Sequence, residues 1–496
     1  MTFRRVLIAN RGEIAIRIAR ACRESGLESV AVYSEADEES PHVRAADRAV
    51  LIGPAPSSQS YLSIPAILDA ARSTACDAVH PGYGFLSENA TFARTCDQAG
   101  LVFVGPPAAV IERMGSKIAA RALMIAAGVP VVPGVTAEDQ SDEGILAAAE
   151  RVGFPVVVKA SGGGGGKGMR VVRDHDSARM LIPAARREAI AAFGDGTLYV
   201  ERLIERPRHL EVQVFGDTHG NVVHLFEREC SIQRRHQKVM EESPSPALTP
   251  AVRGAMEAAA VVAARAASYV NAGTVEFLLE GTGDAARFYF LEVNARLQVE
   301  HPVTEAVSGV DLVRAQFTVA AGGHLPWTQD ELTRRGHAIE CRVYAEDPED
   351  GFLPQAGQIL LYREPAGPGI RVDSGVVEGG TVSVHYDPML AKLTVSAESR
   401  DHAIARAISA LRAFPVLGIR TNVPFLIRLL THPEIRAGRL HTRFIEENAS
   451  ELLSSPDPPL EALAAAAVAT VPPGLSISDS ATAPPDPWGT IRAWGR

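Results

Sequence analysis

The sequence predicts a fold of mixed α/β and α+β class, with a parallel sheet at the N-terminus and antiparallel strands later in the chain. Residues 3–33 read as strand, glycine-containing turn, helix and strand, a βαβ unit that usually belongs to a parallel sheet with helices on both faces. Two later segments, His209–Phe215 and Val222–Glu227, read instead as the strands of a hairpin. A third segment, Phe290–His301, alternates polar and apolar residues as an extended strand does.

Strands and helices alternate through the N-terminal part of the chain. The predicted strands are Val6–Ala9, Val30–Tyr33, Ala49–Ile52, Ala78–His80 and Leu101–Val104, and the predicted helices are Glu13–Glu24 and Ile64–Ala71. The turn after the first strand lacks the GxGxxG pattern, so it gives little support for a dinucleotide site. The loop His80–Asn89 follows a strand end, where such sheets often bind ligands, although a plain connector is an equally open interpretation.

A glycine-rich segment, Gly162–Gly168, connects two β-branched strands after the next helix. The helix is predicted over Met114–Ala127, and the strands over Phe154–Ala160 and Met169–Arg173. The segment is not a Walker A loop, because Gly168 follows the lysine where that motif has Ser or Thr. A strand rather than a helix follows it, so a dinucleotide-binding glycine motif does not fit either. We therefore predict a hairpin with a glycine flap whose amides can cradle phosphates, while a flexible linker remains the alternative.

Positive charge is densest at Gln233–Lys238. Before this run, the predicted strand Thr197–Glu201 leads into Arg202–Ile204, a kind of connection whose backbone commonly meets an adenine ring. The net charge of −10 argues against a general nucleic-acid surface, so an anionic substrate needs local positive clusters. A basic run is usually a solvated face, so a phosphate-facing role and a solvated face are both open.

Two carboxylates stand on strands that are predicted to pair. Glu276 lies inside the strand Thr274–Leu279, and Glu292 lies in the next strand after a short connection. A buried unpaired glutamate is costly, which indicates a cation partner. Two neighbouring carboxylates suit Mg²⁺ shared with phosphate oxygens, and a pair of salt bridges is the alternative.

The alternating segment carries a polar side chain at every second position. These residues are Glu292, Asn294, Arg296, Gln298 and Glu300. In an extended chain they point to one side, and their order suits a metal ion followed by an anion. A solvated edge strand has the same pattern and remains open.

Composition sets further limits. The 496 residues, of which 46% are hydrophobic, suffice for several domains with a large core. The five cysteines are scattered without a CxxC pair, which argues against a disulfide framework or a zinc cluster and favours a reducing cytoplasm. We find no signal peptide and no apolar stretch of about 18 residues, so we expect a soluble, cytoplasmic protein without membrane association. Residues 451–496 are rich in proline and alanine and read as a tail or linker.

Four motifs together resemble those of the biotin carboxylase family of ATP-grasp enzymes. They are GGGGGKGMRVV (Gly162–Val172), ECSIQRRHQK (Glu229–Lys238), TVEF (Thr274–Phe277) and EVNARLQVEHPVTE (Glu292–Glu305). Three more segments agree: ANRGEIAIRI (Ala9–Ile18), HPGYGFLSEN (His80–Asn89) and GHAIECRVYAED (Gly336–Asp347). The resemblance implies an ATP-grasp fold with a Rossmann-like parallel α/β domain (residues 1–113), an ATP-grasp domain (114–335, with a lid over roughly 131–203), a C-terminal α+β domain (336–450) and a tail (451–496).

The resemblance also implies a role for each candidate site residue. ATP would be bound by Lys117, Lys159, Gly165, Gly166, Glu201, Arg202, Leu203, Ile204, His209, Gln233, His236, Glu276 and Glu292. Mg²⁺ or Mn²⁺, about two ions with ATP, would be held by Glu276, Glu292 and Asn294. Bicarbonate would be held by Lys238, Arg296, Gln298, Val299 and Glu300, with Glu300 as its base. Arg342, in the predicted strand Ala338–Tyr344, would bind biotin and stabilise its enolate-like form, so that Lys238, Arg296, Glu300 and Arg342 would be the catalytic residues.

The implied activity is ATP- and bicarbonate-dependent carboxylation of carrier-bound biotin through carboxyphosphate, the first half-reaction of an acyl-CoA carboxylase. Family members with attached biotin carry it on a lysine in a Met-Lys-Met type motif, and this sequence has no such motif. The resemblance therefore implies a separate biotin carboxyl carrier protein, carboxyltransferase subunits and a homodimer as partners. The ending DPWGTIRAWGR (Asp486–Arg496) resembles the segment that precedes further domains in longer α-subunits. Two alternatives remain: another ATP-grasp ligase that forms carbamoyl phosphate, and a non-catalytic nucleotide-binding subunit.

Overall fold

The computed structural model describes residues 3–162, 168–454 and 460–469. The chain divides into two compact units, Met1–Leu453 and Ser454–Arg496. Within the described ranges, no helix has both the length and the apolar character that crossing a membrane requires. The ending at Asp486–Arg496 lies outside the described residues.

The N-terminal sheet is built from five parallel strands. They are β1 (Arg5–Ile8), β2 (Glu28–Tyr33), β3 (Arg48–Leu51), β4 (Ala78–His80) and β5 (Val102–Phe103), in the spatial order β3-β2-β1-β4-β5. The helices of this region are α1 (Gly12–Glu24), α2 (Pro41–Ala45), α3 (Ile64–Ser73), α4 (Ala90–Gln98), α5 (Ala108–Gly115) and α6 (Lys117–Ala126). Leu7, Val30 and Val79 are fully buried in its core. The parallel sheet predicted from the βαβ opening is confirmed.

The single helix predicted over Met114–Ala127 is wrong. The helix α5 ends just before Ser116, and α6 begins at Lys117. Ser116 is extended and its side chain accepts a hydrogen bond from a backbone N–H of the next turn, as a favoured N-cap residue does. Lys117 therefore opens a new helix, and its own N–H donates to the carbonyl of Ser161 at 3.0 Å, beside the glycine segment.

A small antiparallel sheet lies within the region predicted as a lid. Its strands are β6 (Gly134–Val135), β7 (Val156–Ala160), β8 (Arg170–Val172) and β9 (Leu198–Arg202), and its helices are α7 (Asp142–Val152) and α8 (His175–Phe193). Strands β7 and β8 pair antiparallel, which confirms the predicted hairpin. Gly165 and Gly166 fall between residues 162 and 168, so the predicted phosphate cradle lies outside the described residues.

An eight-stranded antiparallel sheet carries seven of the candidate site residues, among them Lys238, Glu276 and Arg342. The strands that follow the small sheet in the chain are β10 (Arg208–Gly216), β11 (Val222–Arg234), β12 (Gln237–Ser243), β13 (Asn271–Glu280), β14 (Arg287–Asn294), β15 (His337–Tyr344), β16 (Glu346–Asp347), β17 (Leu353–Pro354), β18 (Gly357–Gln358), β19 (Leu361–Tyr362), β20 (Ile370–Ser374), β21 (Thr381–Val382), β22 (Met389–Ala397) and β23 (Val416–Leu417). The large sheet has the order β14-β13-β10-β11-β12-β15-β22-β20. Because β12 pairs with β15, strands on both sides of the boundary predicted at residue 336 belong to one sheet.

Helices cover this sheet and complete the first unit. They are α9 (Pro250–Ala266), α10 (His301–Ser308), α11 (Leu312–Ala320), α12 (Arg400–Arg412), α13 (Val423–Thr431), α14 (Pro433–Arg436), α15 (Phe444–Glu447) and α16 (Ala449–Leu453), and the second unit contains α17 (Leu460–Ala469). Leu452, on α16, is buried in the C-terminal core, so the first unit extends a few residues beyond the predicted start of the tail.

The strand β15 has one apolar and one polar face. Cys341 packs with Leu393 of β22 into the C-terminal core. Glu340 and Arg342 alternate with these residues and therefore point to the opposite face, where Lys392 lies directly across from Arg342. The charged residues of this part of the sheet are thus gathered on one side.

The segment Phe290–His301 is not a single extended strand, contrary to the prediction. The strand β14 ends at Asn294, and α10 follows with Pro302 in its first turn, where proline is tolerated because that N–H has no partner within the helix. Glu300 is the residue that caps α10, with φ −80° and ψ 14°. The polar side chains after Asn294 therefore leave the line of the strand, and Glu300 turns toward β12 and β15.

Candidate active site

Lys238, near the start of β12, lies at the centre of a buried cluster of carboxylates. Its ammonium Nζ donates to Oε2 of Glu211 at 2.5 Å, to Oε1 of Glu276 at 3.0 Å and to Oε1 of Glu300 at 2.6 Å. Burial lowers the pKa of Lys238, but the negative charge around it outweighs burial and raises that pKa well above its ordinary value. The lysine is therefore held protonated among the carboxylates.

Arg342 reaches one of these carboxylates from β15. Its Nη2 donates to Oε2 of Glu300 at 2.9 Å, and its Nε donates to Oε1 of Glu241 at 2.7 Å. Glu300 is therefore bridged between two cations, one on each oxygen. Burial raises the pKa of Glu300, but Lys238 and Arg342 outweigh burial and hold that pKa well below its usual range. Glu300 is thus ionised and fixed in place, as a general base must be before it takes a proton.

Three residues of this cluster were missed in the sequence: Glu211, Arg228 and Glu241. Arg228 is fully buried on β11, where its Nε donates to Glu211 at 2.6 Å and its Nη1 donates to Thr304 of α10 at 2.7 Å. Arg228 therefore joins Glu211 to the helix that follows Glu300. The sequence did carry a signal, because Glu211 alternates with apolar residues in a strand, and a carboxylate buried there needs a cation.

Glu276 and Glu292 face each other across β13 and β14, as predicted. Glu276 lies 2.9 Å from Nε2 of His209 and accepts a hydrogen bond from Nδ2 of Asn294 at 2.8 Å, while Glu292 pairs with the ammonium of Lys117. Burial raises the pKa of Glu276, but the neighbouring cations outweigh burial and lower it. Carboxylate and amide oxygens are hard donors, so this set fits Mg²⁺ or Mn²⁺.

Arg296 and Glu88 organise the turn after β14. Arg296 donates from Nε to Glu88 at 2.8 Å and from Nη1 to Oε1 of Gln298 at 2.7 Å, and Glu88 also accepts from the N–H of Ala295 at 2.9 Å. The loop His80–Asn89 thus reaches the site through Glu88. Gln298 is buried, and among the described residues its Nε2 has no hydrogen-bond partner. Because a buried donor without a partner is costly, an amide beside a guanidinium fits a small oxyanion.

Five of the residues predicted to bind the nucleotide lie on strands of the small sheet or directly after one of them. Lys159 on β7 donates from Nζ to Oε2 of Glu201 at 2.5 Å, and Arg121 of α6 holds the other oxygen at 2.9 Å. Arg202 forms a bidentate pair with Glu280 at 2.8 Å, so its guanidinium is already engaged. Leu203 donates its N–H to the carbonyl of Pro155, and Ile204 packs with Val132 and Tyr289.

The basic run Gln233–Lys238 spans the tight turn between β11 and β12. His236 lies in this turn with a φ of 67°, and Nε2 of Gln233 lies 3.2 Å from Nδ1 of His209. Burial lowers the pKa of His236, and the positive charges of His209 and Lys159 lower it further. The tip of the turn, Arg235–Gln237, is exposed, while Gln233 is buried and Lys238 is half-buried at its two ends.

Three family models match consecutive parts of the chain. Residues 2–111 match the biotin carboxylase N-terminal domain, residues 116–328 the ATP binding domain of the carbamoyl-phosphate synthase L chain, and residues 340–447 the biotin carboxylase C-terminal domain. The biotin carboxylase of Halalkalibacterium halodurans is 51% identical over 443 residues, which make up 89% of this chain and 97% of that protein. The chain belongs to the biotin carboxylase family.

Some relatives in the biotin carboxylase family are longer. The alpha subunit of mouse mitochondrial methylcrotonoyl-CoA carboxylase is 51% identical over 452 residues, and the chain spans 63% of its length. Among solved structures, the biotin carboxylase domain dimer of Hydrogenobacter thermophilus 2-oxoglutarate carboxylase, in complex with MgADP, ADP and bicarbonate, has a TM-score of 0.88 at 43% identity and covers 92% of this chain and 100% of that one. Campylobacter jejuni biotin carboxylase has a TM-score of 0.87 at 43% identity and covers 90% and 99%. The predicted ATP-grasp fold is confirmed.

Proposed function

We propose that this protein carboxylates biotin on a carrier protein, using ATP and bicarbonate, through carboxyphosphate. The observation that carries the proposal is the buried arrangement in which Glu300 is held between Lys238 and Arg342. Nucleotide binding alone does not require a carboxylate fixed between two cations. A reaction that removes a proton from one anion and stabilises negative charge on a second substrate does require it.

The nucleotide is assigned to the side of the site that contains the small sheet. The residues proposed to bind ATP are Lys117, Lys159, Gly165, Gly166, Glu201, Arg202, Leu203, Ile204, His209, Gln233, His236, Glu276 and Glu292. Glu276, Glu292 and Asn294 would hold Mg²⁺ or Mn²⁺, which offsets the charge of the phosphates when bound. The contacts of Glu292 with Lys117 and of Glu276 with His209 support this assignment, because they bring the predicted ligands beside predicted phosphate-binding cations.

Bicarbonate is assigned to the turn between β14 and α10. Arg296, the free Nε2 of Gln298 and the N–H of Val299 would hold the anion beside Lys238. Glu300 would take its proton, which makes bicarbonate a better nucleophile toward the terminal phosphate. A positioned base of this kind supplies a rate factor of about 10² to 10⁴.

Biotin is assigned to the side of Glu300 where Arg342 lies. The guanidinium of Arg342 is buried and keeps its charge, so it can stabilise the enolate-like oxygen of the ureido ring while the ring nitrogen takes up CO₂. Arg342 and Lys238 hold opposite oxygens of Glu300. The same carboxylate therefore lies between the proposed bicarbonate and biotin positions.

The partners are proposed from the relatives. Methylcrotonoyl-CoA carboxylase and a 2-oxoglutarate carboxylase dimer are among them, which supports a biotin carrier, carboxyltransferase subunits and a homodimer for this chain. A cytoplasmic location also remains a proposal, since several relatives are named as mitochondrial.

Release of ADP by the purified protein tests the proposed reaction. We expect release that depends on bicarbonate and increases with free biotin. We expect Glu300→Gln to lose this release. Its matched control is Glu242→Gln, because Glu242 is as buried as Glu300 but binds His337 and Arg400 outside the cluster. Release that ammonia stimulates and biotin leaves unchanged would instead favour carbamoyl phosphate formation.

A further inference from the structure

Lys392 is a fully buried lysine to which the proposed reaction assigns no role. It lies in the middle of β22, directly across from Arg342 on one side and from Asp373 on the other. Side chains at such paired positions share a face of the sheet, so the ammonium projects from the same polar face that carries Arg342.

The ammonium of Lys392 joins two separate parts of the chain. Its Nζ donates to the backbone carbonyl of Val299 at 2.7 Å and lies 3.1 Å from Oε1 of Glu13, in the first turn of α1. Glu13 in turn accepts a hydrogen bond from the hydroxyl of Tyr83, in the loop after β4. The turn before α10 is thus tied through the side chain of Lys392 to α1 and, through Glu13, to the loop after β4.

Charge balance alone does not account for the contact with Val299. A buried ammonium needs a negative partner, and Glu13 supplies one while Asp373 adds further negative charge nearby. A peptide carbonyl carries no net charge. Its use as an acceptor therefore fixes the backbone rather than neutralising the lysine, and hydrogen bonds to charged donors are the stronger kind.

The backbone held in this way belongs to the residue that precedes Glu300. Val299 lies in the turn between β14 and α10, outside the ladder of the large sheet. Fixing its carbonyl fixes the peptide unit that leads into Glu300, and with it the direction of the Glu300 side chain. The N–H of Val299, assigned above to bicarbonate, lies on the same residue.

We propose that Lys392 is a positioning residue of the carboxylation site, holding the Val299 carbonyl so that the anion-binding N–H of Val299 and the carboxylate of Glu300 stay in register with Lys238 and Arg342. This inference rests on the proposed function. Lys392 should therefore affect the use of bicarbonate and leave nucleotide binding unchanged.

The test compares Lys392→Met with Arg400→Met in the full chain. Arg400 is the matched control, because it also donates to a carboxylate and a backbone carbonyl, those of Glu242 and Ile435, away from the cluster. We expect Lys392→Met to lower kcat/KM for bicarbonate by about tenfold or more, the loss of one charge-assisted hydrogen bond, while KM for ATP stays within about twofold. Arg400→Met should leave both unchanged, and Lys392→Arg should recover part of the loss.

Two further measurements separate positioning from charge balance. Glu13→Gln leaves the Val299 contact in place, so it should affect bicarbonate less than Lys392→Met does. Hydrogen exchange of residues 295–301 should be faster in Lys392→Met than in Arg400→Met. Equal exchange in the two variants, or a parallel rise of KM for ATP and bicarbonate, overturns the inference.

The inference and the proposed function can fail separately. A wild-type protein without bicarbonate-dependent ADP release contradicts the proposed function, while hydrogen exchange still decides whether Lys392 holds the turn. If Lys392→Met does not fold, Lys392→Gln, which keeps a neutral donor, carries the same comparison.

Discussion

Replacing Glu300 with glutamine removes one negative charge from between two cations with little change in shape. Lys238 keeps Glu211 and Glu276 as partners, and Arg342 keeps Glu241. We therefore expect the free energy of unfolding to fall by about 1–3 kcal/mol. Removing the last partner of a buried charge costs more, about 3–5 kcal/mol.

The effect of Glu300→Gln on turnover is expected to be much larger than its effect on stability. An amide cannot take the proton of bicarbonate, so kcat for bicarbonate-dependent ADP release should fall by about 10² to 10⁴ while KM for ATP changes little. Glu242→Gln, at an equally buried carboxylate, should lose stability without this loss of kcat. A Glu300→Gln protein that keeps the wild-type kcat refutes the role of Glu300 as the base.

The carboxylate of Glu300 should also make the free energy of unfolding depend on pH, and its lowered pKa sets the direction of that dependence. The pKa of Glu300 in the folded protein lies well below its ordinary value of 4.5, so its pairing contributes stability above that pH and loses it as the pH falls through the lower pKa. The difference in unfolding free energy between wild type and Glu300→Gln should therefore narrow below pH 4.5. A constant difference contradicts the assigned ionisation.

Three other substitutions test neighbouring roles. Arg342→Lys should lower biotin carboxylation by about tenfold or more and spare the bicarbonate-dependent ATPase. The lysine keeps the charge but loses the planar guanidinium that donates to Glu241 and Glu300 together. Equal losses in the two assays contradict the assignment of Arg342 to biotin. Glu276→Gln should raise the Mg²⁺ concentration needed for half-maximal activity by about tenfold, and an unchanged Mg²⁺ titration rules out a role as a ligand. Burial raises the pKa of Glu340 from its ordinary value of 4.5 to about 8, so the free energy of unfolding of the wild type should fall as the pH rises from 4.5 toward 8. Glu340→Gln should therefore gain stability relative to wild type over that range in chemical denaturation. A difference between the two proteins that does not change with pH contradicts the raised pKa of Glu340.

Local pattern predicted the strands and helices well where apolar periodicity is strong. This periodicity predicted the parallel N-terminal sheet and the hairpin around the glycine segment. It also predicted that Glu276 and Glu292 lie opposite each other on neighbouring strands. The extended segment was predicted too long because alternation continues past Asn294, while Pro302 and the ionic contacts of Glu300 favour a turn into a helix.

The partners of the charged residues could not be predicted from the sequence. Arg228 and Glu241 belong to the cluster because β11 and β12 bring them next to Glu211 and Arg342, contacts that depend on the register of the large sheet. Lys392 lies about 90 residues from Val299 along the chain, and no periodicity links two positions so far apart. Their joint position is a property of the assembled sheet.

Transfer of isotopically labelled bicarbonate to free biotin is the measurement that tests the proposed function most directly. We expect the purified protein, with ATP and Mg²⁺, to form labelled carboxybiotin, and we expect Glu300→Gln to form almost none while Glu242→Gln retains the activity. ADP release without any label in biotin, or labelling that Glu300→Gln leaves unchanged, contradicts a biotin carboxylase site built around Glu300, Lys238 and Arg342.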